Sequence, residues 1–308
     1  MTDPAIRICF CIDTTREDER LRALLKRAEA YLSLQGAESC VLSPAQIHPA
    51  DHPECLYLAD DPAIAAAIKE AGGRVAGFLH EHNREEKFSG LGFVFDEVDE
   101  VELDSYHKAW ERLAGIPWTI LKTPRITVRE TTLDDVDAFY AIYQDPSMTE
   151  YQEGLFSDPA DEKHYMEDYI RKIYGMLGFG VWTLVRREDD TVIGRAGFSI
   201  RKGFEDVELG FMIGRPWQGQ GYAFEACEAI MRYGQRVLLF DRVQALVKEG
   251  NEASLRLCDK LGFRRDGEVR IEEDIYGGSY HGEGTVSLSP SHYGRYIRFV
   301  KEYDPVRG

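Results

Sequence analysis

The stretch Glu208-Leu209-Gly210-Phe211-Met212-Ile213-Gly214-Arg215-Pro216-Trp217-Gln218-Gly219-Gln220-Gly221-Tyr222-Ala223 decides how the rest of this chain is read. It opens as a strand over 207–213, breaks at Gly214 and Pro216, and crosses a glycine-rich turn into a helix expected over about 222–236. Two glycines and an alanine (Gly219, Gly221, Ala223) let backbone N–H groups come close to an anion. The unpaired donors and the dipole of a helix N-terminus favour that anion, a pyrophosphate in particular. No Lys-Ser/Thr follows, as a Walker loop requires, and the glycine spacing does not suit a dinucleotide fingerprint.

Outward from this turn the elements alternate. Towards the N-terminus we expect strands at 192–200 and 181–187, joined by Asp189-Asp190-Thr191, and a helix around 160–174. Before these come a helix opening at Leu133-Asp134, with Thr131 or Thr132 as its cap, and a strand at 125–129. Towards the C-terminus follow a strand at 243–247, a helix at 252–261 and a strand near 263–269.

Gln218-x-x-Gly221-x-Ala223 resembles the acetyl-CoA motif of the GNAT superfamily, Gln/Arg-x-x-Gly-x-Gly/Ala, and Asn251-x-x-Ser254 with Lys260-Leu261-Gly262-Phe263 resembles the second half of that family's core. Gly219-Gln220-Gly221-Tyr222-Ala223-Phe224-Glu225-Ala226 is most similar to the ribosomal-protein N-acetyltransferase subgroup. The resemblance covers about Arg125 to Val269. It implies a mixed, mostly antiparallel sheet flanked by helices, and direct attack of an amine on the thioester of acetyl-CoA. Such an enzyme holds the pantetheine, polarises the carbonyl, takes a proton from the ammonium and returns one to the thiolate.

Carried onto this sequence, the resemblance assigns the pantetheine amides to the backbone of Phe211, Met212 and Ile213, with an N–H near Leu209–Phe211 facing the thioester oxygen. Gln218, Gly219, Gln220, Gly221, Tyr222, Ala223 and Phe224 would hold the pyrophosphate. Glu208 stands where many relatives carry the general base, and is otherwise an ordinary exposed strand carboxylate. Ser254 corresponds to the hydroxyl that protonates the thiolate, and Asn251 to a pantetheine contact; equally, they suit the N-cap and N3 positions of the 252–261 helix. Beyond Val269 the segment Tyr276 to Gly284 replaces the subgroup's compact strand pair. Tyr276, Tyr280, His281, His292 and Tyr293 are candidates for the acceptor side, or for core and lid packing.

The N-terminal part reads differently. Residues 20–34 carry apolar positions at helical spacing, and Cys55–Ala59, Ala63–Ala71 and Arg74–Leu79 form a β-α-β unit, which implies parallel strands in a small three-layer α/β domain. Short elements follow at 92–95 and 105–113, and we set the domain boundary near 122, giving 1–122 and 123–308. Cys55 to His80 resembles the last β-α-β of haloacid-dehalogenase-like phosphohydrolases, whose acidic turn holds Mg²⁺, here Asp60-Asp61. That family's nucleophile motif has no counterpart, since Cys11-Ile12-Asp13-Thr14-Thr15 offers a single aspartate. The domain is therefore expected to be non-catalytic, with acceptor binding or homodimer formation open to it. A phosphohydrolase, a bifunctional enzyme and a non-catalytic CoA-binding module are the alternatives.

Composition sets the outer limits. At 308 residues, 44% of them hydrophobic and 30% charged, the chain suits two globular domains. A net charge of −17, from 37 Lys+Arg against 54 Asp+Glu, argues against a nucleic-acid partner, which needs clustered cations. The sequence has no apolar run of membrane-spanning length and no secretory start, so a cytoplasmic location without membrane contact is the default expectation. Six cysteines without paired CxxC spacing read as free thiols, Cys9 and Cys11 on one face of a strand, and no metal site is expected.

Overall fold

The computed structural model describes residues 6–13, 15, 17–273, 280 and 292–303, the side chain of His292 excepted. Its packing divides the chain into two compact units, Met1–Trp118 and Thr119–Gly308.

The first unit is built on a parallel sheet of five strands: β1 (Arg7–Cys11), β2 (Glu38–Leu42), β3 (Cys55–Ala59), β4 (Arg74–Phe78) and β5 (Val94–Phe95). They lie in the order β2-β1-β3-β4-β5. The central strands β1 and β3 are apolar on both faces, as a sheet covered on both sides requires. Ile8, Phe10, Leu56, Leu58 and Phe78 meet helices α1 (Glu19–Leu34) and α3 (Leu103–Leu113) through Leu21, Leu25, Ala28, Leu32 and Tyr106. On the opposite face Cys9, Cys11, Cys55 and Tyr57 pack with Ala65 and Ile68 of α2 (Pro62–Glu70). The three layers and parallel strands expected from the β-α-β pattern are present. Strand β2 was not foreseen: Glu-Ser-Cys-Val-Leu at an exposed sheet edge shows neither a buried run nor clean alternation.

The second unit carries an eight-stranded sheet in the order β12-β13-β11-β10-β9-β8-β7-β6. Its strands are β6 (Thr119–Lys122), β7 (Ile126–Arg129), β8 (Val181–Arg186), β9 (Thr191–Ile200), β10 (Val207–Ile213), β11 (Arg242–Lys248), β12 (Arg264–Glu273) and β13 (His292–Glu302). Every pair is antiparallel except β10–β11. Helix α4 (Asp135–Tyr143) is followed by α5 (Pro159–Tyr169), which continues through a π turn (Ile170–Tyr174) into α6 (Gly175–Leu177). Helix α7 (Tyr222–Arg236) buries Ala226, Cys227, Ile230 and Met231 in the main core with Trp182, Phe198 and Val243, and α8 (Glu252–Lys260) adds Cys258.

Two expectations are corrected here. Neither Thr131 nor Thr132 caps α4, because Thr131 Oγ1 is buried in bonds to Tyr174 and Thr183, while the Thr132 amide donates to the Asp135 carboxylate at 2.9 Å. The strand pair thought to be replaced after Val269 is present: β12 runs on to Glu273, and β13 lies between it and β11. Strand β13 escaped the sequence reading because Arg298, on an apolar-looking run, is drawn inward by an ion network and blurs the alternation.

Candidate active site

Strands β10 and β11 pair at two positions only, Val207↔Val243 and Glu208↔Gln244. Past Glu208 strand β10 stays in register with β9 up to Ile213↔Gly194, so the parting lies wholly on the β11 side. Gly210 sits inside this parting, where an added Cβ would meet nothing within 4 Å.

A network around buried Asp206 and Gln244 holds the closed end of this fork. Asp206 Oδ1 and Oδ2 accept from Arg242 at 2.8 and 2.7 Å, and Oδ2 also accepts from Arg298 Nη2 at 2.6 Å. Arg298 Nε donates to Gln244 Oε1 at 2.9 Å, and Gln244 Nε2 donates to the Asp206 carbonyl at 3.1 Å. The two guanidinium groups hold the Asp206 carboxyl below the usual aspartate range, Arg242 foremost. One step on, Glu208 is buried (7% exposed) and accepts from Arg201 Nε at 2.6 Å. Burial raises its carboxyl above the ordinary glutamate value, and Arg201 offsets part of that rise. Glu208 is thus not the exposed strand carboxylate of the plainer sequence reading.

At the open end, the turn after β10 is strapped to the strand. Gln218 Nε2 donates to the Ile213 carbonyl at 2.9 Å, and Gln220 Nε2 to the Pro216 carbonyl at 2.9 Å. Both side chains, expected to face a pyrophosphate, bond the protein's own backbone. The Ile213 carbonyl, expected to face the pantetheine, is engaged by Gln218, and the side chains of Met212 and Ile213 are buried. Gly219 and Gly221 have φ of +73° and +84°, and Gly221 is the N-cap of α7 with no side chain capping the helix. The backbone of Gly219 to Phe224 is thus the part of the turn suited to an anion. Tyr222 is buried in the core, and Phe224 lies under Lys260 Nζ, 4.0 Å from the ring centroid.

Sequence reasoning missed Arg125 and Glu225. Glu225 accepts from Thr123 Oγ1 (2.7 Å), the Arg125 amide (2.9 Å) and Arg125 Nε (2.6 Å), fixing the first turn of α7 to the segment before β7. Arg125 also donates to the Gln220 carbonyl at 3.0 Å and covers the Tyr222 ring at 4.4 Å. A cation is therefore built against the glycine turn of an acidic protein. Its distance of about a hundred residues from that turn left no local signal.

Asn251 is the N-cap of α8, its Oδ1 accepting from the Ser254 backbone amide at 3.1 Å. The Ser254 hydroxyl takes no part in this bond. Beside the fork lies a cleft of about 560 Å³ lined by Tyr143, Glu153, Phe156, Lys248, Glu273 and Tyr296. Glu273 accepts from Tyr296 Oη (2.7 Å) and pairs with Lys248 Nζ (2.8 Å). Of the tail residues considered for the acceptor side, Tyr280 donates to Asp168 at 2.6 Å and Tyr293 is exposed. Tyr276, His281 and the His292 side chain lie outside the described residues.

In the first unit the acidic turn has structural uses. Asp61 caps α2 through the amides of Ala63 and Ile64, and Asp60, wholly buried, accepts from the Asp13 amide at 2.8 Å and meets His80 Nε2 at 3.3 Å.

Residues 125–264 match the Acetyltransferase (GNAT) domain family. An uncharacterized N-acetyltransferase, p20, of Bacillus licheniformis is 30% identical over 161 residues, 51% of this chain and 89% of that protein. The [ribosomal protein uS5]-alanine N-acetyltransferase of Escherichia coli (strain K12) is 39% identical over 85 residues, 27% of this chain and 44% of that protein. A crystal structure of an acetyltransferase (GNAT family) from Bacillus anthracis is 20% identical, with a TM-score of 0.46, over 59% of this chain and 97% of that one. By these matches the chain is an acyltransferase, and it belongs to the GNAT acetyltransferase family.

Proposed function

We propose that this protein moves an acetyl group from acetyl-CoA to a primary amine, a protein N-terminus being the acceptor class favoured. The observation that carries this reading is the parting of β10 and β11 immediately after Glu208 and Gln244. An extended pantetheine suits that space, with Leu209 to Met212 offering backbone partners along β10. The pyrophosphate suits the first turn of α7, with Arg125 and Lys260 as cations near it. A thioester at the fork brings its carbonyl beside Glu208, whose raised pKa suits a base that takes a proton from an incoming ammonium. Ser254 is the candidate donor to the leaving thiolate, and its hydroxyl is not used by the helix cap.

The cleft supports the acceptor class. Its lining carries two carboxylates, Glu153 and Glu273, against one cation, Lys248, which pairs with Glu273; the net negative charge suits a cationic amine, and a shape open to solvent suits the end of a peptide. The similarity to a uS5-alanine N-acetyltransferase points the same way. The first unit, Met1–Trp118, we read as a separate, non-catalytic domain; the boundary expected near 122 falls before β6 instead. The test is a mass-spectrometric assay of acetyl-CoA with peptides bearing free or blocked N-termini. Transfer to the free α-amine alone is expected; transfer only to small amines would remove the peptide acceptor, and no transfer to any amine would remove the catalytic reading.

A further inference from the structure

Of the four cysteines on one face of the N-terminal sheet, three have their sulfur atoms in contact. Cys9 on β1 stands in direct register with Cys40 on the edge strand β2, their Sγ atoms 3.5 Å apart. On the other side of Cys9 the Sγ of Cys55, on β3, lies at 3.4 Å. Cys9 and Cys55 are buried, whereas Cys40 is half-buried at the sheet edge and reachable from solvent. Nothing in acetyl transfer uses these thiols.

We propose that Cys40 and Cys9 form a hydroperoxide-reactive dithiol, Cys40 as the attacking sulfur and Cys9 as the resolving one. Directly paired residues on neighbouring strands have Cα atoms about 4.8 Å apart, within the span of about 4.4–6.8 Å that a disulfide accepts. Side-chain rotation at Cys9 and Cys40 can therefore close the bond without moving the sheet. Accessibility assigns the attacking role to Cys40, half-buried at the sheet edge, where the hydrogen bond shared with Cys9 and the charge of Arg7 lower its thiol pKa. Cys9 keeps its proton, held up by that same bond and by burial.

In the first step the Cys40 thiolate attacks the terminal oxygen of a hydroperoxide. The O–O bond breaks, the alkoxide or hydroxide leaves and takes a proton from solvent, and Cys40 becomes a sulfenic acid. The Cys9 sulfur then attacks Cys40 Sγ, the S–O bond breaks, and the hydroxide leaves with the Cys9 proton as water. Two thiols lose two electrons and the peroxide gains them.

The full chain is treated with stoichiometric hydrogen peroxide and mapped by non-reducing peptide mass spectrometry. We expect a Cys9–Cys40 cross-link, the loss of two of the six free thiols per chain, and Cys11, Cys55, Cys227 and Cys258 unchanged. In Cys9→Ser the reaction should halt at a Cys40 sulfenic acid trapped by dimedone, and in Cys55→Ser the cross-link should persist. A Cys9–Cys55 cross-link, or an unmodified Cys40, would overturn the proposal. If Cys9→Ser fails to fold, the map of the unmutated chain decides between these outcomes by itself.

Discussion

Arg201 Nε donates to Glu208 Oε2 at 2.6 Å, at the last residue pair before β10 and β11 part. The carboxylate is thereby pulled two ways, burial raising its pKa and the guanidinium lowering it, with burial the larger. A base must be ionised to act, so activity should fall as pH drops through this raised value. The acidic limb of kcat/KM should lie above the ordinary glutamate range and vanish in Glu208→Gln. Arg201→Met removes the effect that favours the carboxylate, so the limb should move to higher pH. A pH–rate series on the three proteins checks this; an unmoved limb in Arg201→Met would assign the limb to another group.

Ser254 and Asn251 should separate. The cap on α8 uses the Asn251 side chain and the Ser254 backbone, so Asn251→Ala should cost about 1 kcal/mol of stability and Ser254→Ala little. If the Ser254 hydroxyl protonates the thiolate, Ser254→Ala should lower kcat by roughly 10²-fold at unchanged CoA affinity. Thermal melts and steady-state kinetics on both variants measure the two effects.

Asp206 should matter for stability rather than chemistry. It joins β11 and β13 through Arg242 and Arg298, so Asp206→Asn should destabilise the unit by about 2 kcal/mol in denaturant unfolding. Because its folded pKa is depressed, the stabilisation is complete above the unfolded aspartate pKa and is lost as pH falls through the folded value. The difference between wild type and variant should therefore shrink in acid.

What the sequence revealed was local. A β10 of seven residues, a glycine turn and an amphipathic α7 announce themselves through period and punctuation; β8 and β9 are legible as strands, but they are buried in continuous runs rather than alternately. What it hid was long-range. Arg125 reaches the 218–224 turn across a gap that no spacing encodes, and Arg298 disguises β13 by being held half-buried through charge rather than hydrophobicity. Gln218 is instructive in another way: the motif placed it at the turn, but its amide straps the turn to the Ile213 carbonyl. Its contribution there is to hold the turn against the end of β10.

The glycine at 221 gives the most direct test of acetyl-CoA binding on this turn. Its φ of +84° strains any residue with a side chain, and at the uncapped start of α7 a branched one would stand where a pyrophosphate is expected. Coenzyme A is titrated calorimetrically into the wild type and into Gly221→Val, with circular dichroism confirming that the variant is folded. The account predicts saturable binding to the wild type and none to the folded variant. Equal binding to both, or no binding to the wild type, would contradict it.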